Sequence, residues 1–237
     1  MTQSSSQRSG LVGKRLGILL PSSNTVVEPL AARMLAGTGV SAHFSRLGVI
    51  DVALGGSSQA QFELRRHVDA AVLLADAKVD AIVWGGTSAS WLGTAHDEAF
   101  VEAVQAETGI PTTSCVFAMN AQIQASAGLK LGLVTPYTND VHLKVIENYK
   151  SLGIECVASS HFGGALSHDF ADIIPEAIDG AVRSVAAFRP DMIFIMCTNL
   201  AGASVAERLS EDLGIPIVDS AAATLKAGLN CLQAAPQ

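Results

Sequence analysis

Two short stretches, one in each half of the chain, leave few folds open: Asp80-Ala-Ile-Val-Trp-Gly-Gly86-Thr87-Ser88 and Asp191-Met-Ile-Phe-Ile-Met-Cys197-Thr198-Asn199. Each sets an Asp before an apolar run rich in β-branched or aromatic residues, too short for a stable helix, that breaks into small polar residues. That pattern is a buried strand feeding a polar loop. Aligned on the Asp, Gly86 stands opposite Cys197, Thr87 opposite Thr198 and Ser88 opposite Asn199. One copy carries a thiol where the other carries no side chain.

The match extends along the chain. Leu16-Gly-Ile-Leu-Leu-Pro21-Ser-Ser-Asn24 parallels Leu131-Gly-Leu-Val-Thr-Pro136-Tyr137-Thr-Asn139, and Thr108-Gly-Ile-Pro111 parallels Leu213-Gly-Ile-Pro216. The pairs keep their order, which argues for duplication, and their spacing is far longer than that of a solenoid repeat. Strands are expected near 16–20, 42–47, 81–85 and 112–115, alternating with helices at 26–36, 60–77, 98–107 and 117–127. The second half repeats this with strands at 131–135, 155–160, 192–196 and 215–218. Its helices end near Ser151, cover 173–188 and 204–213, and finish the chain.

Strands alternating with helices predict an α/β protein of two pseudo-symmetric, Rossmann-like lobes, each a roughly four-stranded parallel sheet flanked by helices. The first lobe is expected over 14–120 and the second over 121–237, with the Ser/Gln/Gly-rich residues 1–13 a mobile tail. At 49% hydrophobic and 16% charged, the chain has ample material for such cores. Asn24 or Thr25 is suited to cap the first helix, and Thr94-Ala-His-Asp97 has the form of a capping box. Arg65-Arg66-His67 is expected on a solvated helix face.

A net charge of −7 with no Lys/Arg cluster argues against nucleic acid as a partner. No apolar run approaches membrane-spanning length and the N-terminus lacks a signal-peptide core, so the expected location is the cytoplasm, without a membrane partner. Cys115, Cys156, Cys197 and Cys231 are scattered, without metal-ligand spacing, and are expected as free thiols with no metal site. Neither a GxGxxG nor a GxxxxGK[ST] signature follows a strand, and no GxSxG elbow occurs. A reaction without a cofactor is the expectation. Association into a homo-oligomer stays open.

In open parallel sheets ligands bind beyond the carboxyl ends of the strands. Asn24, Thr87, Ser88, Tyr137 and the Cys197 to Asn199 segment lie at those ends, so two facing lobes would gather them in one cleft. Helix N-termini behind the loops suit a small carboxylate or dicarboxylate. A helix N-terminus near Cys197 would lower its pKa. Trp91 and Leu92 could form an apolar wall or pack as ordinary core, and the loop histidines His161 and His168 could supply a base, though lone loop histidines are more often ordinary surface residues.

The duplicated strand ends, the Pro21-Ser-Ser-Asn-Thr25 loop, the Gly86-Thr87-Ser88 loop, Tyr137 and Cys197 together resemble the aspartate/glutamate racemase superfamily, over residues 15–230. Within it the chain is similar to the branch of maleate cis-trans isomerase and arylmalonate decarboxylase. Racemases and isomerases of the superfamily use one cysteine from each lobe; here Gly86 takes the first place and Cys197 the second. The resemblance to the decarboxylase, with its Gly-Thr-Ser loop and the Tyr137-Thr-Asn-Asp-Val141 context, implies Cys197 as proton donor with Tyr137 beside it. It implies that Thr87, Ser88 and Tyr137, with backbone amides near Cys197, bind the retained carboxylate, and Gly86, Thr198 and Asn199 are further candidate substrate-binding residues of the same loops. Asn24 resembles an asparagine by which maleate isomerases hold their dicarboxylate. The implied reaction is decarboxylation of a substituted malonate, with cis-trans isomerisation or racemisation of a small acid as the alternative and carboxylate binding without turnover as a third reading.

Overall fold

The computed structural model describes residues 11–124 and 128–234. The first half runs β1 (Arg15–Pro21), α1 (Val27–Met34), β2 (Ser41–Leu47), α2 (Leu64–Asp76), β3 (Ala81–Trp84), α3 (Thr94–Thr108), β4 (Thr112–Ser114) and α4 (Cys115–Gln124). The second repeats it with β5 (Lys130–Tyr137), α5 (Asn139–Ser151), β6 (Glu155–Gly164), α6 (Pro175–Ala186), β7 (Met192–Ile195), α7 (Ala203–Leu213), β8 (Ile217–Asp219) and α8 (Ser220–Ala234). Short helical turns stand at Gly56–Gln59, Ala60–Phe62, Ala89–Leu92 and Ser167–Asp172. Each half forms a four-stranded parallel sheet, in the orders β2-β1-β3-β4 and β6-β5-β7-β8.

The duplication reaches individual hydrogen bonds. The repeated Asp starts each central strand and receives the amide of its neighbour, Arg15 N–H to Asp80 Oδ2 at 2.8 Å and Lys130 N–H to Asp191 Oδ2 at 2.7 Å. The repeated Gly-Ile-Pro also works alike in both halves. Gly109 and Gly214 end α3 and α7 at φ +68° and +65°, a left-handed conformation that glycine adopts without Cβ strain, and Pro111 and Pro216 offer their carbonyls to Ile82 and Ile193. At the far end of the central strands, Gly85 N–H bonds Leu19 O as Met196 N–H bonds Val134 O. Both halves thereby deliver the residues after β3 and β7 to the same kind of place.

Several local expectations are corrected. Thr94 begins α3 without a side-chain cap, and Asp97 is buried and accepts the Ser114 hydroxyl, so Thr94 to Asp97 is no capping box. Arg65 and Arg66 are exposed, but His67 is fully buried, because it shares a face of α2 with Ala71 and Leu74 at helical spacing. Asn24, by contrast, does cap α1, its Oδ1 accepting the amides of Val26 and Val27 at 3.1 and 3.0 Å. Of the tail expected over 1–13, residues 1–10 lie outside the described residues, while Leu11 packs into the core. The last three residues of the helix expected over 117–127 also lie outside them.

The halves interlock. Ala221, Leu225, Leu229 and Leu232 of α8 join the cluster that covers one face of the first sheet with Leu16, Ile18, Leu20, Ala81 and Val83. The C-terminal helix thus completes the first half's core. All four cysteines are free thiols. Among the described residues no helix is long and apolar enough to cross a membrane.

Candidate functional site

The carboxyl ends of β1, β3, β5 and β7 meet between the two sheets. Thr87, just after β3, and Tyr137, the last residue of β5, place their hydroxyls 2.7 Å apart across the halves. Both are buried, and Trp91 and Phe170 pack edge-on against the Tyr137 ring at centroid distances of 5.2 and 5.7 Å. Trp91, expected as wall or core, therefore stands beside the site, while His168 pairs with Asp169 in solvent and the exposed His161 stacks on His142.

Cys197 sits against this hydroxyl pair and is buried. Burial pushes its thiol up to about 12, against the opposing pull of the Asn199 and Leu200 amides and the Tyr137 hydroxyl. The lowered pKa expected from a nearby helix N-terminus is thus reversed, because desolvation of the thiolate outweighs the donors around it. Tyr137 is likewise held well above its ordinary value by burial and by the neighbouring sulfur. The pair rests as thiol and phenol.

The backbone around the sulfur is occupied in its own way. Cys197 N–H donates to Ser220 Oγ at 3.0 Å, and the Cys115 thiol donates to Ser220 O at 3.2 Å. Ser220 and Cys115 open α8 and α4, so the duplicated strand ends β8 and β4 form a buried support behind the thiol. Asp219 and Asp97 share that support, each with one carboxyl oxygen lacking a hydrogen-bond partner, and burial raises both to about 7. Sequence reasoning missed this layer; the duplicated positions Ser114 and Asp219, and Cys115 and Ser220, are the signal that could have found it.

Three expected ligand residues spend their side chains on the protein. Asn24 Nδ2 donates to Thr198 Oγ1 at 3.1 Å, and Thr198 Oγ1 donates to Gly85 O at 2.8 Å. Asn199 accepts Thr25 N–H at 2.9 Å and donates to Ser23 O at 3.3 Å and Ser167 O at 2.6 Å. These residues tie the loops of the two halves together around the cleft. Ser88 Oγ accepts the Trp84 indole N–H at 3.3 Å, which leaves its own proton to donate.

A strap of chain from both halves lies against the Asn199 side chain. Val52 N–H bonds Ala165 O and Ser167 N–H bonds Ile50 O, both at 2.9 Å, with Asp51 and Leu166 paired antiparallel between them. Ser22 and Ser23 hydroxyls anchor this strap at Val49 O.

Phenol, thiol and hydroxyls converging in a buried place can stabilise a developing carboxylate-like anion and deliver a proton to it. The family profile described as arylmalonate decarboxylase matches residues 16–235. No functionally curated protein matches the chain by sequence. Among solved structures, the maleate isomerase of Pseudomonas putida S16 superposes with a TM-score of 0.79 at 22% identity, covering 92% of each chain. A maleate cis-trans isomerase of Nocardia farcinica, a cysteine-to-serine variant holding a covalent succinylcysteine intermediate, gives 0.80 at 23% identity, again over 92% of each chain. A liganded arylmalonate decarboxylase, with one glycine changed to cysteine and one cysteine to serine, gives 0.80 at 18% identity over 94% of each chain. At these identities the structures share the fold of two facing parallel sheets.

Proposed function

The chain belongs to the arylmalonate decarboxylase family, and from that premise we propose that it decarboxylates a substituted malonate or similar small dicarboxylate without a cofactor, using one cysteine as the acid. One carboxylate of the substrate is held by the Thr87 and Ser88 hydroxyls and the Tyr137 phenol. Loss of CO₂ from the other leaves its bonding electron pair on the α-carbon, from which it spreads into the retained carboxylate as an enediolate. Fixed donors aimed at both oxygens stabilise that charge most in a site from which water is excluded. Cys197 then gives its proton to one face of the carbon, and water reprotonates the sulfur.

The observation that carries this reading is the convergence of the Cys197 sulfur with the Tyr137 phenol and the Thr87 hydroxyl in one buried place. Burial keeps the Cys197 thiol protonated at neutral pH, and the position that the duplication pairs with it holds Gly86 and no second thiol. A nucleophilic cysteine would need the thiolate that burial disfavours. Trp91, Phe62 and Phe170 supply an apolar surrounding in which a carboxylate is less favoured than neutral CO₂.

A second reading is cis-trans isomerisation of a maleate-type diacid. It is favoured by Asn24, which lies fully buried at the cleft wall with an amide able to meet a second carboxylate once Thr198 yields. Incubation with substituted malonates and with maleate in D₂O separates the readings. Release of CO₂ with one deuterium at the α-carbon supports decarboxylation, fumarate from maleate supports isomerisation, and binding without either leaves a carboxylate-binding protein.

A further inference from the structure

Side chains two residues apart along a strand share a face, so Trp84 at the end of β3 looks along the sheet toward Gly86. The indole lies where a side chain on Gly86 would begin. A Cβ built there would stand 2.2 Å from Cζ2, 2.4 Å from Cε2 and 2.9 Å from Cη2 of the ring, closer than carbon atoms approach. The ring has nowhere to retreat. It is fully buried, meets His67 edge-to-face at a centroid distance of 4.7 Å, lies against Phe100 at 6.4 Å and donates its N–H to Ser88 Oγ.

The second half differs at this position. Aligned on the repeated Asp, Trp84 corresponds to Ile195, whose branched side chain packs toward Gly202, and the residue two positions on is Cys197. The copy with the small strand-end residue carries the thiol, and the copy with the large one carries glycine.

We propose that Trp84 is a specificity-determining residue: its indole holds the space that a thiol opposite Cys197 would need, so the site protonates from one face and cannot take a proton from the other. The proposal rests on Cys197 acting as the acid in the reading above. With thiols on both faces, one sulfur would remove the α-proton of a chiral acid while the other returned one to the opposite face, and the reverse turnover would reset both. Trp84 keeps the chain from that chemistry. It also positions Ser88 through the indole hydrogen bond, so the ring that excludes a thiol orients a carboxylate donor.

The test is a cycle of Gly86→Ala, Gly86→Cys, Trp84→Val and the two double variants, followed first by thermal melting and then by racemisation. Either substitution of Gly86 alone is expected to lower Tm by roughly 5–10 °C, the scale of overpacking in a chain of this size. In the Trp84→Val background the same substitutions are expected to cost little or to raise Tm. Gly86→Cys with Trp84→Val is further expected to exchange deuterium into an enantiopure 2-substituted carboxylate and erode its optical purity, whereas Gly86→Cys alone leaves it intact. Additive Tm losses, or a stable Gly86→Cys variant that racemises with Trp84 in place, would overturn the proposal. The outcomes stay separate from the functional reading: a wild-type protein that decarboxylates no malonate sinks that reading, whereas the melting cycle still decides whether Trp84 and residue 86 compete for one space.

Discussion

The hydroxyl of Thr87 stands 2.7 Å from that of Tyr137, the first reached from β3 of one sheet and the second from β5 of the other, with the sulfur of Cys197 beside them. A bond this short between buried groups fixes both donors before a substrate arrives, which is the condition for stabilising charge without reorganisation. Tyr137→Phe keeps the ring that Trp91 and Phe170 pack against and removes only the oxygen. It is expected to retain the wild-type melting temperature within a few degrees and to lose about 10²- to 10³-fold in kcat for CO₂ release. Thr87→Val is expected to lose less, and the double variant no more than Tyr137→Phe alone, since the two hydroxyls act as a unit. Steady-state kinetics on a substituted malonate checks both, and a Tyr137→Phe enzyme with unchanged kcat would remove the phenol from the mechanism.

Cys197→Ala is expected to abolish product formation while leaving the fold intact, because only a small side chain is removed and Ser220 still holds the backbone N–H of residue 197. The pH profile carries more information. A thiol at about 12 is fully protonated from pH 6 to 10, so an acid role gives a rate that this group leaves flat across that range. A nucleophilic role gives a rate that climbs about tenfold per pH unit as thiolate forms. Either profile is read directly from initial rates in overlapping buffers.

The duplication made most of the architecture legible, since a repeated Asp, apolar run and Gly-Ile-Pro each do one local job and do it twice. It also brought Thr87, Tyr137 and Cys197 to the same strand ends, as their positions imply. What the sequence withheld depends on contacts between distant segments. Thr198 and Asn199 follow the thiol as ligand residues would, yet their side chains are consumed by Gly85, Thr25, Ser23 and Ser167, none of them near in sequence. The direction of the Cys197 shift depends on how completely the folded chain buries the sulfur, which no local pattern encodes. The fold of the Trp84 ring beneath Gly86 is a rotamer choice, set by His67, Phe100 and Ser88 together.

His67 makes acid stability a measurable consequence of burial. Burial lowers its pKa to about 4, reinforced by His96, whereas an unfolded chain titrates it near 6.5. Between those values the unfolded state binds more protons, so this group favours folding fully above pH 6.5 and withdraws that contribution as pH falls toward 4. The span corresponds to roughly 3 kcal/mol, an order-of-magnitude figure. Asp97 and Asp219, raised to about 7, oppose it, because the folded state binds their protons more tightly than the unfolded one between about pH 4 and 7. His67→Phe keeps a ring beside Trp84 and removes the titration. Urea unfolding at pH 7 and pH 4.5 is expected to show the variant gaining on the wild type at the lower pH, and equal pH slopes for the two proteins would contradict it.

Asn199 joins the strap to the thiol loop and so ties access to stability. Its side chain satisfies Thr25 N–H, Ser23 O and Ser167 O, on two segments, the loop after β1 and the strap around Ser167. Asn199→Ala leaves those backbone groups without a partner, at a cost of about 1 kcal/mol each and so about 3 kcal/mol in all. The loss is expected to be local before it is global, because the two pieces of the strap are joined by the backbone bonds Val52 to Ala165 and Ser167 to Ile50. Hydrogen exchange should then quicken at the amides of Thr25, Val52 and Ser167 well before those of β1 and β5. The sulfur should react faster with a small alkylating agent in the variant, since the loop that carries Cys197 has lost its tie to the strap. Faster alkylation without faster exchange at residues 25, 52 and 167 would place the route to the thiol elsewhere.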